Sequence, residues 1–324
     1  MKSLMSAIAA LSVIASGLSA RAQSVEKYPE RPITFVVGFA AGGAVDIVAR
    51  SLGGQLQSQT GQSVIIENRP GANSNVAAIA VAHAKPDGYT ILVGANGMTA
   101  NMALYPNPGF DVERDFAPVA SLGEAPPVIA SGKGFSGVNL HDLVEQAKAA
   151  PDTMAYGSPG AGSSAHLTME LFQRVAGIQL RHVPYRGGAP AIADALGGHI
   201  PLLSVNFPEV LGQVAAGELR VLGVPSPQRH PLMPQAPTVA EQGFPGFEAS
   251  TWWALFAPAG TPRGIVEKLN AEVRKALATP DFRAKLLQSG GVVTGSTPDE
   301  MAAFIHAERA KWTKIIVEAG IKAE

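Results

Sequence analysis

The chain has 324 residues, 46% of them hydrophobic, and a formal net charge of −1 at pH 7. This length suffices for two domains with sizeable cores, and the small charge gives no reason to expect nucleic acid or an acidic membrane surface as a partner. The absence of cysteine excludes disulfides and cysteine-based zinc sites.

The first 22 residues have the pattern of a secretory signal peptide. Lys2 is followed by an uncharged stretch over residues 3–20, and Ala20-Arg21-Ala22 forms an A-x-A cleavage pattern. The apolar run is short and broken by Ser and Gly, which disfavours a transmembrane anchor. We therefore expect export to a bacterial periplasm, cleavage near Ala22, and a mature chain that does not insert into the membrane.

The segments that follow alternate between strand and helix patterns. Strands are predicted at "ITFVVG", "SVIIENR" and "YTILVGA", and Val45, Val48, Leu52 and Leu56 form one face of a helix. The pattern then restarts with strands at "PPVIASG", "TMAYGS", "LRHVPY", "IPLLSV" and "LRVLGV", separated by helices near residues 140–149, 163–175 and 189–196. Such alternation predicts two α/β blocks, each a mostly parallel sheet flanked by helices.

The last third begins with one more predicted strand, "STWWALFAPAG", and is otherwise helical. Trp252 and Trp253 are adjacent on this strand and should point to opposite faces, one into the core and the other into a cleft. Residues 297–300, Thr-Pro-Asp-Glu, predict a capping box at the start of the final helix, which ends at Gly320. The chain should thus form lobe 1 from residues 24–123 plus 251–324, and lobe 2 from residues 124–250.

Three glycine-rich turns follow predicted strands: "GFAAGGA", "RPGANSN" and "GSPGAGSSAH". Ligands of open α/β sheets bind at the carboxyl ends of the strands, where the N-termini of helices offer unpaired N–H groups. The first turn resembles a nucleotide loop in spacing, but Ala44 and Val45 stand where Lys and Ser/Thr are required. We therefore expect a ligand that is smaller and less charged than a nucleotide.

These turns also carry a resemblance to a known family. Together with "YPERPITFVVGFAAGGAVDIVAR", "AHAKPDGYTILVG" and "HVPYRGGAPAIADALGGHI", they resemble the Bug or TctC-like periplasmic receptors of the tripartite tricarboxylate transporters. The resemblance implies a two-lobed type II periplasmic-binding-protein-like fold that closes on a small organic carboxylate in a cleft between the lobes. It also implies delivery of that ligand to membrane permease subunits, a monomeric chain, and no cofactor.

The resemblance further implies which groups hold the ligand. Backbone amides of residues 39–44 form one cradle, the turn after "ENRPGA" forms a second, and residues 158–164 supply hydroxyls and amides from lobe 2. The ligand-binding residues expected from these turns are Phe39, Ala40, Ala41, Gly42, Gly43, Ala44, Asn73, Ser74, Ser158, Gly162, Ser163 and Ser164. His166 and Asn206 are further candidates from the residues themselves, and a core or inter-lobe role for His166 is equally open. Asp46 and Arg69 are expected to have structural roles near the site, although Arg69 and Arg186 are also the cations nearest the turns. No catalytic or metal-binding residue is implied.

Several residues depart from the family's pattern. Gly38 stands where relatives usually have Pro, Asn73-Ser74 replace a frequent Gly-Gly, and Val205 occupies a place where many relatives have Asp. An amino-acid ligand needs a partner for its ammonium group, because an unpaired buried charge is costly. With Val205 in place of Asp, and with Ser204, Asn206 and one tryptophan as a neutral wall, we expect an organic acid without an amino group.

Two other classes of protein remain as alternatives. A secreted serine hydrolase could use Ser163 or Ser164 with His166, but no third member is evident, and the motifs G-x-S-x-G and H-E-x-x-H are absent. A structural or adhesive protein would require repeats or exposed apolar patches, and neither is visible. The sequence therefore favours a binding protein that is not an enzyme.

Overall fold

The computed structural model describes residues 27–321 except residues 40, 43, 186 and 289, so the predicted signal peptide lies outside the described residues. The strands are β1 (Ile33–Val37), β2 (Val64–Asn68), β3 (Thr90–Ala95), β4 (Phe116–Ala125), β5 (Pro127–Ser131), β6 (Ala155–Ser158), β7 (Arg181–Pro184), β8 (Leu202–Asn206), β9 (Arg220–Gly223) and β10 (Thr251–Pro258). The helices are α1 (Ala44–Thr60), α2 (Asn75–Ala82), α3 (Gly97–Leu104), α4 (Leu140–Ala149), α5 (Ser164–Ala176), α6 (Gly188–Gly197), α7 (Leu211–Ala215), α8 (Arg263–Ala278), α9 (Pro280–Gln288) and α10 (Pro298–Ala319).

The strands form two five-stranded sheets with the orders β2-β1-β3-β10-β4 and β7-β6-β8-β5-β9. We name the units built on these sheets lobe 1 and lobe 2. In lobe 1 only β10 runs against its neighbours β3 and β4, and in lobe 2 only β5 runs against β8 and β9. Four strands of each sheet thus share one direction, and the fifth makes the sheet mixed. The predicted two-lobed α/β fold is confirmed.

The two reversed strands mark where the chain passes between the lobes. Only Pro126 separates β4 of lobe 1 from β5 of lobe 2, and the return connection runs over residues 224–250, from β9 to β10. Each reversed strand therefore enters its sheet directly after a crossover. This topology leaves the carboxyl ends of β1, β2 and β3 at one edge of lobe 1, and those of β6, β7 and β8 at one edge of lobe 2.

Three of these strands and helices, β4, α3 and the five-residue α7, were not predicted from the sequence. The segment that forms β4 contains Pro118 and Gly123, which are unfavourable inside a strand. β4 lies at the edge of its sheet, where the missing N–H of Pro118 is tolerated. The segment that forms α3 has only eight residues, too few for helical periodicity to be recognised.

Strand β10 carries two tryptophans, and both are buried. Trp253 packs in the core on one face of the lobe 1 sheet and Trp252 in the core on the other face, with exposed fractions of 1% and 2%. The expectation that one of them lines a cleft is therefore wrong, because helices cover both faces of the sheet.

Helix α10 joins the two lobes. It begins with the predicted capping box of Thr297 and Glu300, which is confirmed. Farther along, Trp312 and Ile315 belong to the same buried cluster as Leu104 of α3 and the core of lobe 2. A buried carboxylate, Glu308, accepts hydrogen bonds from the indoles of Trp252 at 3.0 Å and Trp312 at 2.7 Å. The C-terminal helix thus contacts both β10 of lobe 1 and the buried core of lobe 2.

Candidate ligand-binding site

The loop after β1 is held by the carboxylate of Asp46, which is 2% exposed. Gly42 N–H donates to Asp46 Oδ2 at 2.8 Å, Arg50 Nε donates to the same oxygen at 2.9 Å, and Asn68 Nδ2 donates to Oδ1 at 2.9 Å. Burial by itself would raise the pKa of Asp46, but these hydrogen bonds outweigh it and the pKa is lowered. Asp46 therefore stays ionised and fixes the start of α1.

The predicted ligand-binding residues of this loop are placed as follows. Phe39 is half-buried and its carbonyl accepts from Asn68 Nδ2 at 3.0 Å. Ala41 and Gly42 are exposed, the amide of Gly42 being bonded to Asp46, and Ala44 is the first residue of α1. Ala40 and Gly43 lie outside the described residues.

The turn after β2 has an unusual backbone. Ala72, Asn73 and Ser74 have φ values of 45°, 50° and 77°, in the left-handed region that disfavours residues with a Cβ. Asn73 is secured by two hydrogen bonds to Asn101 of α3, from its side chain at 2.8 Å and to its carbonyl at 2.9 Å. Ser74 is 2% exposed, and its hydroxyl has no hydrogen-bond partner among the described residues. Backbone strain of this kind is typical of functional sites.

Of the two candidate cations, Arg69 forms an ion pair with a neighbouring carboxylate. Arg69 Nε donates to Glu67 at 2.7 Å, and the Arg69 side chain is 45% exposed. Arg69 is therefore paired with Glu67 at the surface of lobe 1. Arg186 lies outside the described residues.

In lobe 2 the turn after β6 leads into α5. Ser163 is the N-cap of α5, and its hydroxyl accepts from the backbone N–H of His166 at 3.2 Å. The His166 ring in turn accepts from Gly162 N–H, through Nδ1 at 3.0 Å. Ser158 is fully buried at the end of β6, where its hydroxyl lies 2.7 Å from Nε2 of His182.

These two histidines form a stack beneath the turn. The rings of His166 and His182 are 3.9 Å apart and nearly parallel, and Tyr156 stacks on His182. Glu170 accepts from the Tyr156 hydroxyl at 2.7 Å and lies 3.5 Å from Nε2 of His166. Burial and the neighbouring His166 lower the pKa of His182 to about 4, so His182 is neutral near pH 7.

The serine-hydrolase alternative requires a hydroxyl bonded to the His166 ring. Ser163 instead accepts from the His166 backbone, and the hydroxyl of Ser164 lies 2.6 Å from that of Thr251. The pair that does form is Ser158 with His182, and Ser158 is fully buried under the turn. These groups support the turn and are not arranged for nucleophilic attack.

Helix α3 connects the turns of the two lobes. Asn101 holds the turn of Asn73, and one turn later the Leu104 side chain touches Gly162, where an added Cβ would come within 2.8 Å of it. Residues three apart on a helix lie on one face. The second cradle of lobe 1 and the predicted loop of lobe 2 are therefore on the same face of α3.

A second connection runs through polar side chains. Thr251, the first residue of β10, contacts Ser164 of α5 at 2.6 Å and donates to Asn206 Oδ1 at 3.4 Å. This links two predicted ligand-binding residues of lobe 2 to strand β10 of lobe 1. Four residues of this region were not recognised from the sequence: Thr251, Asn68, Asn101 and His182. A polar residue at a strand end is a usable signal for Asn68 and Thr251, whereas the contacts of the other two residues are non-local.

The neutral wall expected around Val205 does not exist in the form predicted. Val205 is fully buried in the core of lobe 2, packed with Val128 and Ile192, and Ser204 on the opposite face of β8 is also fully buried. Alternation along a strand places Val205 on the face away from Asn206. Its identity therefore gives no information about an amino group on the ligand.

One cavity lies away from these loops. It measures about 420 Å³ and is bounded by both crossovers and α10, with Pro126, Ser250 and Glu308 among its walls. Among residues 27–321, leaving out positions 40, 43, 186 and 289, no cluster of three or more potential metal ligands occurs, and no helix is long and apolar enough to cross a membrane.

Comparison with known proteins identifies the family of this chain. Residues 48–321 match the model of the "Tripartite tricarboxylate transporter family receptor". BugT of Bordetella pertussis is 35% identical over 318 residues, covering 98% of this chain and 97% of BugT. Rpa4515 of R. palustris, solved with adipate, is 36% identical with a TM-score of 0.80, covering 91% of this chain and 99% of that one. MatC of Rhodopseudomonas palustris, solved with malate, is 33% identical with a TM-score of 0.76, covering 89% and 100%. The chain belongs to the Bug/TctC family of tripartite tricarboxylate transporter receptors.

Proposed function

We propose that this protein is an exported receptor that binds a small organic carboxylate between its two lobes and delivers it unchanged to a membrane permease. One observation carries the proposal: Asn101 and Leu104, one turn apart on α3, touch the turn of Asn73 in lobe 1 and Gly162 in lobe 2. Candidate anion-binding turns from both lobes thereby meet on one helix.

The chemistry of these turns suits a carboxylate. Each turn ends at the N-terminus of a helix, where the helix dipole favours a negative charge. Hydroxyl and amide side chains at Ser164 and Asn206 add further hydrogen-bonding groups. Two relatives with known structures were solved with the carboxylates adipate and malate, which supports the same ligand class here.

The remaining features of the proposal follow from the sequence and the fold. A cleaved signal peptide ending near Ala22 would bring the mature chain to the periplasm as a monomer. Lobe 1 would comprise residues 24–123 and 251–324, and lobe 2 residues 124–250, with the crossovers as hinges. The absence of an accessible nucleophile–base pair among the described side chains supports binding without catalysis.

A thermal-shift screen of the mature protein against a carboxylate library tests the proposal, because a ligand that binds only the native state raises Tm by mass action. Calorimetry should then give a one-to-one complex, and NMR should show the ligand unchanged after prolonged incubation. A library without a stabilising carboxylate, or turnover of the one that binds, would overturn the proposal.

A further inference from the structure

Besides Asp46, a carboxylate that was not recognised from the sequence, Glu209, lies at the edge of lobe 2. Glu209 belongs to the 3-10 turn Phe207–Val210 that follows β8. Its Oε1 accepts from Asn206 Nδ2 at 2.6 Å. Its Oε2 lies so close to Gly188, the first residue of α6, that a Cβ at Gly188 would overlap it. The carboxylate thus sits against the N-terminus of a ten-residue helix.

This carboxylate belongs to the candidate site. Asn206 joins Glu209 to Thr251, and Thr251 contacts Ser164, so the polar chain ends at predicted ligand-binding residues. On the lobe 1 side, Gly290 lies against Phe207 and Pro208, the two residues before Glu209. The loop 158–164 is also adjacent, because Gly187 N–H donates to the carbonyl of Pro159 at 3.1 Å.

The position of Glu209 has an electrostatic consequence. The N-terminus of α6 is a place where a ligand's anionic group would be stabilised, and Glu209 already occupies it. Burial raises the pKa of Glu209 despite the hydrogen bond from Asn206, which means that its negative charge is incompletely solvated. Such a carboxylate gains from a hydrogen-bond donor and is destabilised by a second negative charge nearby.

We propose that Glu209 is a specificity-determining residue that selects monocarboxylates bearing a hydrogen-bond donor, an ammonium or a hydroxyl group, at their other end and rejects dicarboxylates. The ligand carboxylate goes to the turns on α3, and the donor faces Glu209. This inference rests on the proposed function and narrows its ligand class. It replaces the expectation based on Val205, since Glu209 offers a partner to an ammonium group.

Calorimetry with ligands of equal chain length tests the inference, for example succinate, 4-hydroxybutyrate and 4-aminobutyrate, with the matching three- and five-carbon series. In the chain-length series that the wild type binds most tightly, the affinity for the hydroxy and amino acids should exceed the affinity for the dicarboxylate at least tenfold. Glu209→Gln keeps the size and removes the charge, so this ratio should fall at least tenfold. Glu218→Gln removes an exposed carboxylate elsewhere on lobe 2 and should leave the ratio unchanged.

Glu209→Asp is the second variant if Glu209→Gln does not fold, and its shorter side chain should also weaken the preference. Wild-type preference for dicarboxylates, or an unchanged ratio in a folded Glu209 variant, would overturn the inference while leaving carboxylate binding intact. If no carboxylate in the wider library binds, the proposed function is wrong, and this inference is wrong with it.

Discussion

The side chain of Ser74 occupies the space in which a side chain on Gly38 would lie. A Cβ added to Gly38 would overlap the Ser74 hydroxyl and come within 2.5 Å of Ser74 Cβ and 2.8 Å of its Cα. From the sequence we expect both residues to depart from the family's pattern, with Pro usual at position 38 and Gly at position 74. In the structure the two positions compete for the same space, because the Ser74 side chain lies where a side chain on residue 38 would be.

Gly38→Ala should therefore destabilise the protein by about 1–3 kcal/mol, the usual cost of overpacking a buried position. Ser74→Gly should by itself be neutral or stabilising, since it relieves a left-handed backbone and removes a buried unbonded hydroxyl. In the double variant, most of the cost of Gly38→Ala should disappear. Urea unfolding of the four proteins measures this coupling.

Ser74→Ala is the control for this cycle, because it removes the hydroxyl but keeps the Cβ that blocks a side chain at position 38. It should rescue Gly38→Ala less than Ser74→Gly does. If the changes in unfolding free energy of Gly38→Ala and Ser74→Gly simply add in the double variant, the two positions are not in steric conflict.

Asp46→Ala should release the loop after β1. Three donors, from Gly42, Arg50 and Asn68, would lose their acceptor, which should cost about 2–4 kcal/mol of unfolding free energy. Because the loop belongs to the candidate site, ligand affinity should fall at least tenfold in calorimetry. Asp281→Ala removes an exposed carboxylate and should change stability by no more than about 0.5 kcal/mol. Wild-type affinity in a folded Asp46→Ala protein would contradict this role.

Glu308→Ala should loosen the contact between α10 and β10. Two buried indole N–H groups, of Trp252 and Trp312, would lose their shared acceptor, at a cost of about 2–4 kcal/mol. Tryptophan fluorescence during urea unfolding reports both the stability and the changed indole environment. Glu318→Ala, on the same helix but partly exposed, should have a much smaller effect. Equal losses in the two variants would exclude a special role for Glu308.

His182 should make the protein less stable in acid. The native state keeps His182 neutral down to about pH 4, whereas the unfolded chain protonates it near pH 6.5. The unfolded state thus binds more protons in this window, and stability falls as the pH is lowered through it.

His182→Gln should remove about 1–2 kcal/mol of this loss between pH 7 and pH 4, a figure that discounts for the partial exposure of the side chain. Thermal unfolding across this range measures the effect, with the exposed His141→Gln as control. Parallel pH profiles of wild type and His182→Gln would disprove the assignment.

Ligand binding should bring the lobes together. If the crossovers at Pro126 and residues 224–250 are hinges, small-angle scattering should show a smaller radius of gyration when a confirmed ligand is added. An unchanged radius at saturation would indicate a rigid pocket instead.

The sequence by itself determined the lobes and most of their elements. Strand and helix signals are local, so the β-branched run "ITFVVG", the capping box at Thr297 and the glycine-rich turns could be recognised without knowing what they contact. The segment that became β4 could not be recognised in this way, because Pro118 is acceptable only at a sheet edge, and edges are defined by the other strands.

The tertiary structure decided which side chains meet. Val205 and Glu209 are four residues apart, yet one lies in the core and the other at the inter-lobe edge, because strand β8 ends between them. Likewise, the sequence placed Ser164 in the site but could not connect it to Thr251, 87 residues away. Hydrogen bonds and overlaps between distant segments depend on how two sheets are joined, and no local pattern records that arrangement.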